Sequence, residues 1–469
     1  MVDALVSLLF VATVMAVYVP LSVVDVRIAL VALFAGTAAQ NVLVPLVFVP
    51  ALGNSGSYVV LWKLALIALL IVAWRRVPDE PGNRVPPIVR IPFLLFLGVV
   101  LIYLVLPVEV QLSGVASSPL LARLEGAVRW LTPALIVVFG WEVARLGVGL
   151  QGFSKTLVGW AGVISAVALV AWIAVPPSAW VTLSQNVPQG AGSDSVGNIQ
   201  AAGLTSYFFG SETSRGAAPF GSPLALAFFL ALPTTLLLRL PFTRARLAIG
   251  TLIFAALLST QTRGVILAVV FIELLRFLPR RLSGVLLMLS TAGLAYYVVG
   301  NGATFPDFTD PSALAHSVAL RSDWVTFVTH PFGLGLGQGG VVGRTIGDAS
   351  AGGENLYLVL GNEIGWLGLF LGVLLIGAVA YRLRTGGKVN AQNDSAPVIE
   401  AVLDCLKVFL LASMTTEHAV AFVSSLPFWL ALGIGLRVSV QASENLPARV
   451  LANDGRNWAR AHSLTNAES

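Results

Sequence analysis

The chain is built from apolar segments of about 20 residues, the length of α-helix that crosses the hydrocarbon core of a bilayer. Only 11% of its residues are charged, against roughly 25% in soluble domains. The sequence therefore predicts an all-α, polytopic integral membrane protein with about 12–13 transmembrane helices. We place the segments at 4–24, 28–49, 57–74, 88–108, 126–146, 156–175, 220–240, 247–260, 263–278, 283–299, 356–381, 400–416 and 419–438.

Arginine and lysine lie at alternate connections between these segments, and the positive-inside rule assigns those connections to the cytoplasm. A net charge of +5 is thus explained without a nucleic-acid partner. We predict a membrane domain over 1–440 and a cytoplasmic, disordered tail over 441–469. The basic connections contain Arg75, Arg76 and Arg84; Arg145 and Lys155; Arg239, Arg244 and Arg246; Arg276, Arg280 and Arg281; and Arg382, Arg384 and Lys388.

The other connections are then outside the cell, and two of them are long: 176–219 and 300–355. Loops of this length are usually functional or disordered. The first is polar with interspersed aromatic residues, which suits sugar binding, and a flexible Gly/Ser loop over 185–205 is the alternative. The single cysteine, Cys405, excludes an intramolecular disulfide and argues against a metal site built from cysteines.

Three arginines stand on the outer side, where arginine is scarce: Arg215, Arg263 and Arg321. A single one is explained by snorkelling to lipid headgroups or by pairing with a nearby aspartate. Three that can converge favour an anion site, because a guanidinium group binds phosphate through two parallel hydrogen bonds.

The stretch from Arg321 to Phe370 combines an amphipathic segment, a glycine-rich turn and a polar loop within an otherwise apolar chain. A helix carrying Arg321 is predicted to end at His330-Pro331. A glycine-rich turn over 333–340 follows, whose backbone could approach a ligand closely. Glu354 and Asn355 then open a long apolar helix, where free backbone N–H groups favour anions.

Two features of that apolar helix are predicted to be architectural. Glu363 lies more than one turn inside it, and we expect its carboxylate to hydrogen-bond neighbouring helices. Four glycines share one helical face and should allow close contact with another helix. They are Gly361, Gly365, Gly368 and Gly372.

Five short motifs carry a family resemblance. They are RGAAPFGSPLALAFFLALP (215–233), STQTRGVILAVV (259–270), LRSDWVTFVTHPFGLGLGQ (320–338), ENLYLVLGNEIGWLGLF (354–370) and SLPFWLALGIGL (425–436). In this order and spacing they resemble the O-antigen ligase and O-antigen polymerase superfamily of bacterial membrane glycosyltransferases. The resemblance covers roughly 60–440 and is best from 215 to 440.

This resemblance implies an enzyme of the bacterial cytoplasmic membrane that builds cell-envelope polysaccharide. Its donor would be a glycan on a polyprenyl diphosphate such as undecaprenyl diphosphate, and its acceptor a hydroxyl of a glycan, lipid or protein at the outer face. Ligation and polymerisation are both compatible with the motifs. The resemblance also implies that no cofactor or metal is needed and that Arg215, Arg263 and Arg321 bind the diphosphate.

The family has a histidine where this chain has Glu354, and we interpret Glu354 as the general base for the acceptor hydroxyl. A carboxylate can accept that proton as the hydroxyl attacks the anomeric carbon. Asn355 and Tyr357 are candidate supporting residues, and His330 is a rival base. The alternative is that Glu354 is only a helix-terminal acid and His330 a turn residue.

Two other functions stay open. A secondary transporter or polysaccharide exporter places broken helices and charges at the membrane midplane, usually within an internal repeat, whereas no repeat is visible in this sequence. A peptidoglycan polymerase of the shape-elongation-division-sporulation type would use the same lipid diphosphate but lacks these motifs.

Overall fold

A computed structural model describes most of the predicted helical regions. The described residues are 25–43, 85–106, 108–113, 119–176, 205–208, 211–241, 243–279, 282–289, 311–340, 355–389, 395–416 and 419–444, with a few isolated positions before 85. The predicted segments 4–24 and 57–74 and the tail 441–469 lie wholly or largely outside them.

The described chain is almost entirely helical, as predicted. Its elements are α1 Val26–Leu43, α2 Pro87–Val105, α3 Val108–Ser113, α4 Leu120–Arg145, α5 Leu150–Ala174, β1 Thr205–Phe208, β2 Ser211–Ser214, α6 Pro223–Arg239, α7 Arg244–Ser259, α8 Arg263–Leu275, α9 Pro311–Thr329, α10 Leu356–Val389, α11 Ala396–Ala412 and α12 Phe422–Glu444. Residues 282–289 are also helical.

Four helices within the described residues are long and apolar enough to cross a membrane: α2, α4, α5 and Leu356–Gly386 of α10. The apolar helix α6 is shorter, with 17 residues. The described part of the chain is therefore compatible with a membrane protein. The count of about 12–13 transmembrane helices stays a prediction.

The first turns of three helices are capped by side chains that the sequence places just before them. Ser222 accepts a hydrogen bond from the backbone N–H of Ala225 in α6, and Thr243 caps α7 in the same way. The side-chain oxygen of Asn355 accepts hydrogen bonds from the backbone N–H groups of Tyr357 and Leu358, at 3.0 and 3.1 Å. These caps satisfy backbone donors that a helix leaves unpaired, and the start of α10 matches its prediction.

The most extensive helix contact in the described core joins α4 to α12. A Cβ atom added at Gly140 would lie 2.4 Å from the carbonyl oxygen of Leu430, and one at Gly433 would lie 2.1 Å from that of Val137. Small residues thus bring the two backbones together. The predicted glycine face of α10 does this at Gly361. Gly361 packs on the ring of Phe327 in α9, and α10 itself is interrupted at Ile364 and Gly365.

One short antiparallel hairpin departs from the all-α prediction. β1 pairs with β2 in the loop predicted over 176–219, with Thr205 opposite Ser214 and Phe208 opposite Ser211. The strands are rich in Ser, Thr and aromatic residues, and Thr, Tyr and Phe favour extended backbone. The hairpin leads directly into Arg215.

The two ends of the helix bundle are named here by an arginine that lies at each. Arg239 at the end of α6 pairs with Asp404, and Arg276 donates to the carbonyl oxygen of Leu238 at 3.3 Å. We call this the Arg145 end, because α4 also finishes here. The opposite end, where α6, α8 and α10 begin, is called the Arg215 end.

Candidate functional site

Arg215 is fixed against the turn between α7 and α8. Its Nε donates to the carbonyl oxygen of Thr260 at 2.8 Å, and its Nη2 donates to the hydroxyl of Thr262 at 3.1 Å. The N–H of Gly216 also donates to the carbonyl oxygen of Ser259 at 2.8 Å. A Cβ atom at Gly216 would lie 2.3 Å from the Ser259 hydroxyl, so this close approach requires glycine.

The same turn holds the end of the hairpin. The side-chain amide of Gln261 donates to the carbonyl oxygen of Ser214 at 3.0 Å. The indole N–H of Trp172, at the end of α5, donates to that same oxygen at 3.1 Å. The backbone just before Arg215 is therefore bonded to α5 and to the turn between α7 and α8.

Arg263 is the first residue of α8, and its guanidinium group is exposed. Burial and the positive charge of Arg263 together lower the pKa of Arg215 to about 10. Two cations are thus close enough to repel each other. An anion bound between them would offset both the repulsion and the desolvation.

The start of α8 lies near the start of α10. A Cβ atom at Gly264 would lie 2.7 Å from the hydroxyl of Thr415. One residue earlier, the carbonyl oxygen of Met414 accepts a hydrogen bond from the Asn355 side chain at 2.8 Å. The turn after α11 therefore connects the arginine pair with the N-cap of α10.

The predicted supporting residues have structural contacts. Besides its bond to Met414, Asn355 caps α10, and the Tyr357 hydroxyl donates to the carbonyl oxygen of Leu410 at 2.8 Å. Glu354 directly precedes Asn355 but lies outside the described residues, as does the rest of 341–354. Its assignment as the base stays a prediction.

Arg321 is exposed on α9, on a face shared with three exposed valines, Val318, Val325 and Val328. No hydrogen bond or ion pair joins it to another of the described residues. The structure therefore brings together Arg215 and Arg263, and shows no contact that adds Arg321 to them. Its role in binding diphosphate stays a prediction.

His330 lies at the predicted end of α9. Its Nδ1 is 2.9 Å from the Thr329 hydroxyl and 3.2 Å from the carbonyl oxygen of Thr326. These local contacts fit the interpretation of His330 as a turn residue, while its role as a rival base stays a prediction.

The glycine-rich turn packs against helices instead of lining an open surface. Gly333, Gly335, Gly337 and Gly340 have positive φ angles, which glycine adopts without steric cost. The N–H of Gly335 donates to the carbonyl oxygen of Glu363 at 3.0 Å. A Cβ atom at Gly337 would lie 2.0 Å from the carbonyl oxygen of Ala122. The expectation that these glycines approach a ligand is therefore corrected: they approach α4 and α10.

Glu363 is the centre of this packing. Its fully buried carboxylate forms an ion pair with Arg129 and accepts hydrogen bonds from the Trp130 indole at 2.6 Å and from the Gly339 N–H at 3.2 Å. This confirms that Glu363 bonds to a neighbouring helix. Arg129 was not among the predicted site residues, although a charged residue inside a predicted transmembrane segment is a signal of a functional or structural role.

An apolar cavity of about 590 Å³ lies between α2, α4, α10, α11 and α12. It runs from Tyr357 and Ser413 near the Arg215 end to Arg90, Glu142 and Arg145 at the opposite end. Its volume is in the range of small-molecule sites.

No protein-family model and no curated protein matches this chain. Within the described residues, no group of three or more His, Cys, Asp or Glu side chains could hold a metal ion. Over the residues that the structure describes, the fold and site define a mainly helical protein with four helices of membrane-spanning length and a pair of arginines at one end.

Proposed function

We propose that this protein is a membrane glycosyltransferase that moves a glycan from a polyprenyl diphosphate to an acceptor hydroxyl. The observation that carries the proposal is the Arg215–Arg263 pair, in which one partly buried guanidinium group lies in the positive field of another. Such an arrangement suits a diphosphate, which presents several oxygens and more than one negative charge.

The proposed reaction exchanges one bond for another at the anomeric carbon. The acceptor oxygen forms a bond to the anomeric carbon while the bond from that carbon to the diphosphate oxygen breaks. The hydroxyl proton passes to the Glu354 carboxylate, and polyprenyl diphosphate leaves with the bonding electrons. Arg215 and Arg263 would stabilise the charge that develops on the leaving oxygen.

The arrangement of helix ends supports an outward-facing site. In the proposed topology the Arg145 end is cytoplasmic, because the basic connections after α4, α6 and α8 belong to it. The Arg215 end then faces outside, in the bacterial cytoplasmic membrane. Cysteine at Ser195 or Ser350 should accept a membrane-impermeant label in whole cells, and labelling only after permeabilisation would invert this topology.

The proposal is tested with purified protein in detergent, a polyprenyl-diphosphate-linked glycan and an acceptor glycan. We expect transfer by the wild type and loss of about tenfold or more in donor affinity for Arg215→Gln and Arg263→Gln, since charge-assisted hydrogen bonds are lost. Arg244→Gln is the matched control, because Arg244 is an exposed arginine at the other end. Normal donor affinity in both site variants would remove the proposed role of the pair.

One observation favours the second candidate, a secondary transporter or polysaccharide exporter. α10 is interrupted at Gly365 beside the buried Arg129–Glu363 pair, and transporters bind substrates at interrupted helices. Here, however, Glu363 already accepts hydrogen bonds from protein donors, and the carbonyl oxygen of Pro331 accepts the N–H of Trp366 at 2.9 Å. Those groups are engaged in packing, so transferase activity is the better supported function.

A further inference from the structure

Among the described residues that line the cavity between α2, α4, α10, α11 and α12, the charged ones lie at one end. Its charged lining residues are Arg90, Glu142 and Arg145, and all three belong to the Arg145 end. The remainder of the lining is dominated by aliphatic and aromatic side chains. A molecule that fills this cavity would therefore carry an apolar chain and a polar head at the Arg145 end.

The charge at that end favours an anionic head. Glu142 is paired with Arg145, with Oε2 and Nε 2.8 Å apart, so this pair is neutral overall. Arg90 is exposed, and it lies in the first turn of α2, where the helix dipole adds positive potential. The guanidinium group of Arg437 lies 5.2 Å from the ring of Trp141, another lining residue. The described charged side chains at this end of the cavity therefore carry a net positive charge.

The cavity reaches the apolar surface of the bundle. Leu94 on α2 and Val373 on α10 both line it, and their exposed fractions are 53% and 52%. A lipid could therefore enter sideways from the bilayer without crossing a polar surface. Arginine pockets between apolar helices on the cytoplasmic side are suited to anionic lipid heads.

We propose that this cavity binds one anionic phospholipid from the leaflet at the Arg145 end. Its phosphate lies against Arg90, with Arg145 nearby, and an acyl chain extends between Trp130, Trp141 and Trp429 toward the Arg215 end. This site is separate from the proposed diphosphate site and does not depend on transferase activity.

The experiment is native mass spectrometry of the full chain in neutral detergent, with phosphatidylglycerol and phosphatidylcholine of matched acyl chains as probes. We expect the wild type to bind one phosphatidylglycerol more tightly than phosphatidylcholine. Arg90→Gln should reduce that preference by about five- to tenfold, because a surface arginine contributes on the order of 1 kcal/mol to anionic lipid binding. Arg244→Gln, at an exposed arginine outside the cavity, should leave it unchanged.

A second variant tests the apolar part. Ala134 lines the cavity and is partly exposed, so the larger side chain of Ala134→Phe should fill part of the cavity and weaken the binding of both phospholipids. Arg90→Gln should weaken the binding of the anionic phospholipid alone. Equal binding of the two lipids by the wild type would overturn the proposal, as would an unchanged preference in Arg90→Gln. A polyprenyl phosphate that displaces phosphatidylglycerol and binds independently of Arg90 would show that the cavity holds an isoprenoid chain instead.

Discussion

Glu363 on α10 accepts a hydrogen bond from the indole N–H of Trp130 on α4 at 2.6 Å, although the two residues are 233 positions apart in the chain. Arg129, next to Trp130, pairs with the same carboxylate. These contacts join two helices of membrane-spanning length and the turn before α10. A buried ion pair of this kind is costly to break, since removal of one partner leaves an uncompensated charge.

Glu363→Ala is accordingly expected to lower the free energy of unfolding by about 3–5 kcal/mol. The double variant Arg129→Met/Glu363→Met removes both charges and should lose less than Glu363→Ala alone. Thermal or denaturant unfolding in detergent measures both. A Glu363→Ala protein as stable as the wild type would mean that the pair does not hold the turn.

Gly337→Ala should destabilise the protein by roughly 3 kcal/mol or more, from backbone strain and overpacking. Gly337 has a φ angle of 77°, and its added Cβ atom would lie 2.0 Å from the backbone oxygen of Ala122. Gly98 in α2 is the matched control, because nothing lies within 4 Å of an added Cβ atom there. Gly98→Ala should be neutral or stabilising by about 0.5–1 kcal/mol, and similar melting temperatures for the two variants would contradict the packing described.

Anion binding at the arginine pair should weaken at high pH. The pKa of Arg215 is lowered to about 10, so sulfate affinity should fall as the pH rises through that value and the guanidinium group loses its proton. Sulfate is a suitable probe because its own charge is constant there. Arg263→Gln removes the positive charge that helps to lower the pKa of Arg215, so the midpoint of sulfate affinity against pH should move to higher pH. An unchanged midpoint would mean that the charge of Arg263 does not affect the pKa of Arg215.

The same pKa shift affects stability with a defined sign. Folding disfavours the charged form of Arg215, because its pKa is lowered from its usual value to about 10. The resulting cost is fully present below about pH 10 and is relieved as the pH rises from there toward the unfolded value. A bound anion should reduce this cost at neutral pH. Sulfate should therefore raise the melting temperature of the wild type but not that of Arg215→Gln.

Glu354→Gln should slow glycan transfer by about 10²- to 10⁴-fold, the usual contribution of a general base. Donor binding should stay nearly normal, whereas Arg321→Ala should weaken it. Glu354→His, which restores the residue usual in the resembled family, should retain activity with a pH profile moved upward. Near-normal turnover of Glu354→Gln would reduce the carboxylate to a helix-terminal acid and make His330 the next candidate.

Much of the helical framework could be predicted, because apolar length and helix-ending residues act locally. The helix ending before His330-Pro331 and the start of α10 at Asn355 follow from proline and N-cap chemistry. The interruption of α10 at Gly365 could not be predicted, because it involves a tertiary contact: the carbonyl oxygen of the distant Pro331 accepts a hydrogen bond from the backbone N–H of Trp366.

The candidate site was predictable only in part. The positions of Arg215 and Arg263 on one side of a hydrophobic chain marked them as unusual, and the structure brings them together. Their connection to Asn355 passes through Met414 and Thr415, which carry no sequence signal for such a role. Likewise, the glycine-rich turn was recognisable as a turn, but the identity of what it contacts depends on tertiary packing with α4.

The bond between Asn355 and Met414 also bears on the order in which the protein is made. Arg215 can reach Thr260 and Thr262, just before Arg263, as soon as the turn between α7 and α8 has been synthesised. Asn355, the N-cap of α10, can bond to Met414 only after the 59 residues that follow Asn355 have been synthesised. The turn that holds Arg215 can therefore form early in biosynthesis, whereas the N-cap of α10 is bonded to the turn after α11 only once α11 is complete.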